Sequence, residues 1–205
     1  MTPEELLSWV IPSREECRAA AERLRIEYPE LTAPQVAWKA VKSARRWAAA
    51  TGAATGVVAN PVAMFPAAAA EIGAMFRIEG KMAGITAALL DPDALENEET
   101  FKTDVMALVF PMAAVQALQQ LGVRGGQLGT RALIRGFMSK GLLAEIIRLA
   151  LKYLGVRLTR RALISKTVPV VGAGIGATWN WLEVETLGRR AIRYYRTRET
   201  ERERG

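Results

Sequence analysis

Val170, Gly174, Ala177, Trp181, Val184, Gly188, Ala191 and Tyr195 follow one another in alternating steps of four and three residues. All eight are small or apolar, apart from the tyrosine hydroxyl. A seam of this kind requires a helix. It runs straight through Val170-Val171-Gly172-Ala173-Gly174-Ile175-Gly176-Ala177, which alone fits the G-x-G-x-x-[G/A] turn that offers backbone N–H groups to a dinucleotide pyrophosphate. The two readings are incompatible. A dinucleotide turn needs a strand before it and a parallel sheet around it, and it would break the helix between Gly172 and Gly176. The seam keeps its period across those residues, the chain upstream looks helical, and Glu199, at a suggestive distance for a ribose-binding acid, lies in a charged tail. The glycines are therefore read as helix-packing positions. Gly174 and Gly188 are expected to be points of close approach, and Gly172, Gly174, Ala177, Trp179 and Trp181 to face a neighbouring helix or an apolar ligand.

Composition supports helices throughout. Half the residues are apolar, with abundant Ala and Gly and only 7% aromatics. Ala is the best helix former, and small side chains let backbones approach closely. Sustained period-2 alternation is absent, so no sheet is predicted. Start signals recur: Thr2-Pro3-Glu4-Glu5 and Ser13-Arg14-Glu15-Glu16 are capping boxes, Thr32-Ala33-Pro34-Gln35 opens a third helix towards Thr51, and Asn60-Pro61 opens a fourth towards Met82. A polar break at Asp91-Pro92-Asp93 precedes a helix predicted over residues 95–121. Further helices fit 129–139, 142–154 and 157–165, and the last runs from about Pro169 to Arg198 before a fraying tail. The expected fold is all-α: a compact bundle of about seven to nine helices with an Ala/Gly-rich core and a long C-terminal helix.

Three segments carry no ionisable residue: Trp47–Ala70, Val105–Val123 and Thr167–Leu182. The first two have the length of membrane spans, but small residues, Pro and Gln interrupt them. They read better as core helices, or as helices that enter a bilayer only in part. Met64 and Phe65 are the large apolar side chains of the first and are expected to meet an apolar ligand. Charge is distributed unevenly. Residues 1–123 carry 11 Lys/Arg against 15 Asp/Glu, whereas residues 124–198 carry 15 against 3. A basic C-terminal third implies an anionic partner. Arg157, Arg160 and Arg161 precede the last apolar segment, and Arg189, Arg190, Arg193 and Arg196 follow it, with Trp and Tyr near its end. That arrangement suits anionic phospholipid headgroups. Nucleic acid is disfavoured, because no DNA- or RNA-binding motif accompanies the charge.

Thr51-Gly52-Ala53-Ala54-Thr55-Gly56, Asn60-Pro61 and Ala70-Glu71-Ile72-Gly73 resemble the opening of the EcsC family domain. Leu89-Leu90-Asp91-Pro92-Asp93 keeps the Asp-Pro of that family's helix break but lacks its Tyr-Gly. Val168–Ala177, then Leu187-Gly188-Arg189-Arg190-Ala191 and Tyr194-Tyr195, resemble its closing segment. The resemblance implies a helical domain over 45–198, an N-terminal helical segment over 1–44 and a charged tail over 199–205. The family carries no agreed biochemical activity.

Catalytic constellations are missing from the sequence. The chain has no His and one thiol, Cys17, so His-based acid–base chemistry, internal disulfides and Cys-cluster metal sites are excluded, and a cytoplasmic location fits. The N-terminus is acidic and is not read as a signal peptide. Glu71 with Glu79, Asp91 with Asp93, and Glu183 with Glu185 are the available carboxylate pairs. Glu71 and Glu79 are expected to be solvated or paired with a base on another helix, and Asp91 and Asp93 to shape the turn around Pro92. The sequence thus points to a non-enzymatic protein without cofactor or metal, peripheral to the inner face of a membrane. Its expected partner is anionic phospholipid or another apolar ligand. The alternative is an adaptor that binds a protein partner, or a second copy, through its seam and basic face.

Overall fold

A computed structural model describes residues 2–56, 61–121, 140–164 and 169–202, with side chains over 2–54, 66–121, 141–154 and 176–196 and at Gly174. The described residues form α1 (Pro3–Val10), α2 (Arg14–Glu27), α3 (Ala33–Gly56), α4 (Pro61–Leu90), α5 (Glu98–Val109), α6 (Pro111–Gln120), α7 (Lys140–Ile164) and α8 (Pro169–Arg202), with a 3-10 turn at Pro92–Leu95. No strand occurs among them, and the all-α architecture expected from the sequence is what is found. The expected helix over 129–139 lies outside the described residues.

Local chemistry sets most helix ends. Thr2 Oγ1 accepts from the Glu5 N–H at 3.2 Å while Glu5 Oε2 accepts from the Thr2 N–H at 2.7 Å, a closed capping box with Pro3 in the first turn. The Ser13 hydroxyl caps α2, Gln35 Oε1 accepts from the Thr32 N–H before α3, and the Asn97 side chain caps α5. C-terminal carbonyls are met by arginines from elsewhere in the chain. Arg25 donates to Leu89 O at 3.1 Å, and Arg14 donates to Leu95 O and Glu96 O, both at 3.0 Å. In this way α2 clasps the end of α4 and the turn that follows it.

Four boundaries differ from the sequence reading. The fourth helix runs past Met82 to Leu90, because Ala83, Ala87, Ala88, Leu89 and Leu90 are all buried. The helix expected over 95–121 is two helices whose axes bend by 115° at Phe110-Pro111. Pro111 has no N–H to give to the preceding turn and its ring clashes with that turn's carbonyl, so α5 stops and α6 starts afresh with proline in its first turn. The two helices expected over 142–154 and 157–165 are one, α7, continuous through Gly155. At the C-terminus, α8 extends to Arg202, beyond the expected onset of fraying.

Packing centres on α4, which touches α1, α2, α3, α5, α7 and α8. Glycines on α4 receive the N-terminal helices. The Trp9 ring lies over Gly73, the Val10 carbonyl lies directly against Gly80, and Cys17 Sγ sits against Gly84. Leu6, Val10, Cys17 and Ala21 belong to the same core as α4, α5 and α8, so residues 1–44 share one core with the rest, and α3 runs unbroken across position 44.

The largest interface joins α3 to α8, which run antiparallel. Gly188 faces Val41, Arg45 reaches Glu185, Ala48 O accepts from Asn180, and Gly52 meets Gly176. The seam expected along α8 is therefore present at Val184, Gly188, Ala191 and Tyr195, all buried, but departs from expectation towards the N-terminus. Gly174 has no atom within 4 Å of where a Cβ would stand. Gly176 is the close-approach position instead: a Cβ on Gly52 would lie 2.5 Å from Gly176 O. Gly52→Val and Gly188→Leu should each lower stability by about 1–3 kcal/mol through overlap with backbone or with the branched Val41 side chain. Gly174→Leu should leave the thermal midpoint unchanged. Three melts check this, and a fall for Gly174→Leu as large as the other two would refute the assigned helix face.

Candidate functional site

Asn180 is the polar residue on which the three-helix layer α3–α4–α8 converges. It is fully buried. Its Nδ2 donates to Ala48 O at 3.1 Å and to Glu71 Oε1 at 3.0 Å, so one amide ties α8 to both other helices. Glu71 is itself buried. Two turns further along α4, Glu79 is buried in turn, and its charge acts on Arg190 of α8. Arg190 donates to Leu108 O at 3.1 Å, capping the end of α5. Burial pulls its guanidinium pKa below the ordinary value, and the neighbouring Glu79 opposes that shift. One turn on, the Tyr194 hydroxyl donates to Asp104 Oδ1 at 2.6 Å, both residues being buried. Of the carboxylates considered as acid–base candidates, Glu71 is therefore bonded to Asn180 of another helix, and Glu79 is buried within electrostatic range of Arg190. Asp91 stands at the N-cap position of the 3-10 turn, as expected, although its side chain makes no capping bond there.

At the α3–α8 surface, Arg45 pairs with Glu185 and its guanidinium lies 4.1 Å from the Trp181 ring centre. Arg189 also pairs with Glu185, at 2.7 Å, and lies 5.1 Å from the Trp38 ring centre. Hydrogen bonds from Arg189 and Arg45 hold the Glu185 carboxyl below its ordinary pKa. Cys17 is buried, and desolvation pushes its thiol up to about 12, which leaves it unreactive. Among the described residues, no group of His, Cys, Asp and Glu is placed to hold a metal ion.

The outer side of α8 is built differently. Gly174, Thr178, Trp179 and Leu182 form a shallow apolar surface, with Trp179 64% and Leu182 56% exposed. Further along the same helix Arg189, Arg193 and Arg196 are exposed. At helical spacing, Gly174, Thr178, Leu182, Thr186, Arg189, Arg193 and Arg196 share one outward stripe, apolar in its first half and basic in its second. Of the predicted site residues, Gly174, Trp179, Arg189, Arg193 and Arg196 are on this surface. Arg190 is engaged with α5. Trp181 is half-buried under Arg45 and Ala177 is half-buried, so neither lines an open apolar space. The side chains of Met64, Phe65, Arg157, Arg160 and Arg161, and the surroundings of Gly172, lie outside the described residues. Sequence reasoning missed Arg45, Asn180, Asp104 and Trp47. For Asn180 a signal existed, since it is the lone amide in the otherwise apolar segment Thr167–Leu182.

Among the described residues, no single helix is long and apolar enough to cross a membrane. The bent pair α5–α6 passes that test jointly, but most of its apolar side chains are in the core. Comparison with protein-family models, with characterised proteins and with solved structures gives no match to this chain.

Two measurements check the polar contacts. Asn180→Leu removes both interhelical hydrogen bonds and should cost about 1–3 kcal/mol in urea unfolding, with Glu71→Met in the same chain recovering part of the loss. A denaturation midpoint unmoved by Asn180→Leu would show that the amide does not hold the layer together. The second concerns Glu185. A carboxyl whose pKa is lower in the folded than in the unfolded chain stabilises the fold above the ordinary value of 4.5, and that contribution is lost as pH falls through the lowered value. The wild-type melting temperature should therefore fall more steeply below about pH 4.5 than that of Glu185→Gln, so that the two converge at acid pH.

Proposed function

We propose that this chain is a non-enzymatic, membrane-associated helical protein that binds anionic phospholipid through its α3–α4–α8 layer, peripheral to the inner face of a membrane. One observation carries the reading. Among the described residues, every exposed charged side chain on these three helices is basic: Lys42 and Arg46 on α3, Arg77 and Lys81 on α4, and Arg189, Arg193 and Arg196 on α8, with Arg190 partly drawn in against α5. The described acids of the same helices, Glu71, Glu79, Glu183 and Glu185, are buried or half-buried. The layer thus turns positive charge outward and keeps its negative charge inside. A cation near an anionic bilayer contributes about 1 kcal/mol, so several acting together hold a protein at the surface without a span. The exposed apolar half of the α8 stripe favours lipid over nucleic acid as the anionic partner, since a phosphate backbone has nothing to offer Trp179 and Leu182. The resemblance to the EcsC family in the glycine-rich segments is compatible with this reading.

Flotation with vesicles tests it. The protein should rise with phosphatidylserine-containing vesicles at low salt, stay behind with purely zwitterionic ones, and be released as salt screens the surface. The Lys42→Glu/Arg46→Glu/Arg77→Glu variant should lose at least about a hundredfold in affinity, the equivalent of three cations at about 1 kcal/mol each. No flotation at low salt, together with no lipid in native mass spectra of the purified protein, would overturn the reading. A discrete oligomer indifferent to lipid would favour a protein–protein adaptor in its place.

A further inference from the structure

The outer stripe of α8 continues across its partner helix. Trp38, Lys42 and Arg45 recur along α3 in steps of four and three, which puts them on one side of that helix. Trp38 lies 5.1 Å from the Arg189 guanidinium, and the Arg45 guanidinium lies 4.1 Å from the Trp181 ring centre. This side of α3 therefore adjoins the outer side of α8, and Lys42 and Arg46 are exposed beside it. Within the described part of this joint face the bases are Lys42, Arg45, Arg46, Arg189, Arg193 and Arg196. The one acid there is Glu185, paired with both Arg45 and Arg189. The large apolar side chains, Trp179 and Leu182, lie with Gly174 and Thr178 at one shallow surface of α8. Bases and apolar side chains thus share one face of the molecule.

We propose that α8 lies flat in the headgroup region of an anionic bilayer, its axis parallel to the membrane plane, with Trp179 and Leu182 wedged between lipids and Lys42, Arg46, Arg189, Arg193 and Arg196 on the headgroups. The inference rests on the membrane reading above and adds the face, its depth and its orientation. Distances along the helix decide between flat and end-on. If α8 entered end-on with Leu182 at the hydrocarbon boundary, Arg193 would stand about 16 Å above it and Arg196 about 21 Å, at 1.5 Å per residue. Both distances exceed the screening length of about 10 Å at 0.1 M salt, so those cations would add little. Lying flat, the stripe brings all of them to one depth. Charge agrees, since Lys166 stands three residues before Pro169 in sequence and Arg189, Arg193 and Arg196 follow the apolar part, so that bases flank it on both sides. The apolar content fits a shallow seat. Two large side chains among small ones suit a helix lodged about 5–10 Å into the boundary between headgroups and acyl chains. A second copy of the chain presenting the same face would meet it with bases and no exposed acid in its described part, which disfavours self-pairing.

An environment-sensitive fluorophore on single cysteines reads the orientation, in a Cys17→Ala background whose melt is checked first. Labels at Thr178 and Thr186 on the stripe, and at Ile26 on α2, 71% exposed, are compared on phosphatidylserine-containing vesicles. The Thr178 and Thr186 labels should both shift to the blue and be quenched to a similar extent by lipids brominated near the top of the acyl chain, while the Ile26 label stays in water. Leu182→Glu, at a residue exposed in the folded chain, should lower vesicle affinity at least tenfold with an unchanged melt. Arg193→Glu/Arg196→Glu should lower it as much, and Ile26→Glu should not. Vesicle binding with the Thr178 label deep and the Thr186 label in water would overturn the flat seat and leave the membrane reading standing. Binding with both stripe labels in water would place the contact on another face and overturn the proposal alone. No vesicle binding at all would remove both. Stripe labels already shifted in a discrete oligomer without vesicles would assign the face to a second copy of the chain and overturn the proposal.

Discussion

Backbone contact between Gly52 and Gly176 is the constraint from which the rest of the three-helix layer follows. With no side chain at either position, α3 and α8 come close enough for a Cβ on Gly52 to fall 2.5 Å from the opposite carbonyl. That approach fixes the register of two long helices, which side-chain packing alone would leave free to slide. Once it is set, Asn180 stands beside Ala48 O, Arg45 beside Glu185 and Trp181, and Gly188 beside Val41. Of the glycines singled out for a phosphate cradle, Gly176 thus contributes through the absence of a side chain.

The register also decides where charge goes. Along α8 two inward polar positions each meet a carboxylate of another helix, Asn180 with Glu71 on α4 and Tyr194 with Asp104 on α5, and Arg190 lies within electrostatic range of Glu79 on α4. Buried charged groups add little net stability compared with apolar residues of the same size, because desolvation offsets their attraction. Their effect is more directional. A shift of α8 by one residue would take Glu71 and Asp104 away from these partners, so the polar contacts penalise wrong registers more than they reward the right one. The same arrangement draws the described acids of the layer inward and leaves its described exposed arginines and lysines without exposed acids between them.

Much of this was legible in the sequence, and the failures have physical causes. Helix starts were readable because a cap is a local event: Thr2 with Glu5, Ser13, Thr32 with Gln35, and Pro61 lie within a few residues of what they satisfy. The break at Pro111 was missed because the apolar pattern continues across it; only the missing N–H and the ring announce it. Gly174 was chosen over Gly176 because a seam counted on apolar residues alone passes over Asn180 and slides to Trp181 and Ala177. The strict four–three repeat also drifts by about 20° per heptad on a straight helix, so a line anchored at Tyr195 leaves the true contact face towards the N-terminus. The buried amide of Asn180 was passed over although it marked the face. Contacts such as Arg45 with Glu185 or Tyr194 with Asp104 join residues far apart in sequence, and no periodicity on one helix encodes them.

On the proposed reading, an apolar surface on α8 must face water before it meets a bilayer, and small side chains make that tolerable. Gly174 and Thr178 present little apolar area, so this part of the surface has a small hydration penalty at roughly 25 cal/mol per Å². Larger aliphatic side chains there would drive separate molecules together. A surface of this kind is equally free of any charge that would resist entry among the lipids. Apolar attraction is concentrated in two side chains, Trp179 and Leu182, and the bases further along α8 supply a force that salt screens. On that reading, neither part is strong enough alone. The apolar area is too small to hold the chain at a neutral bilayer, and the cations without an apolar surface beside them would make only a diffuse contact. Both must act at once, which confines stable attachment to membranes that offer negative headgroups above an accessible hydrocarbon layer.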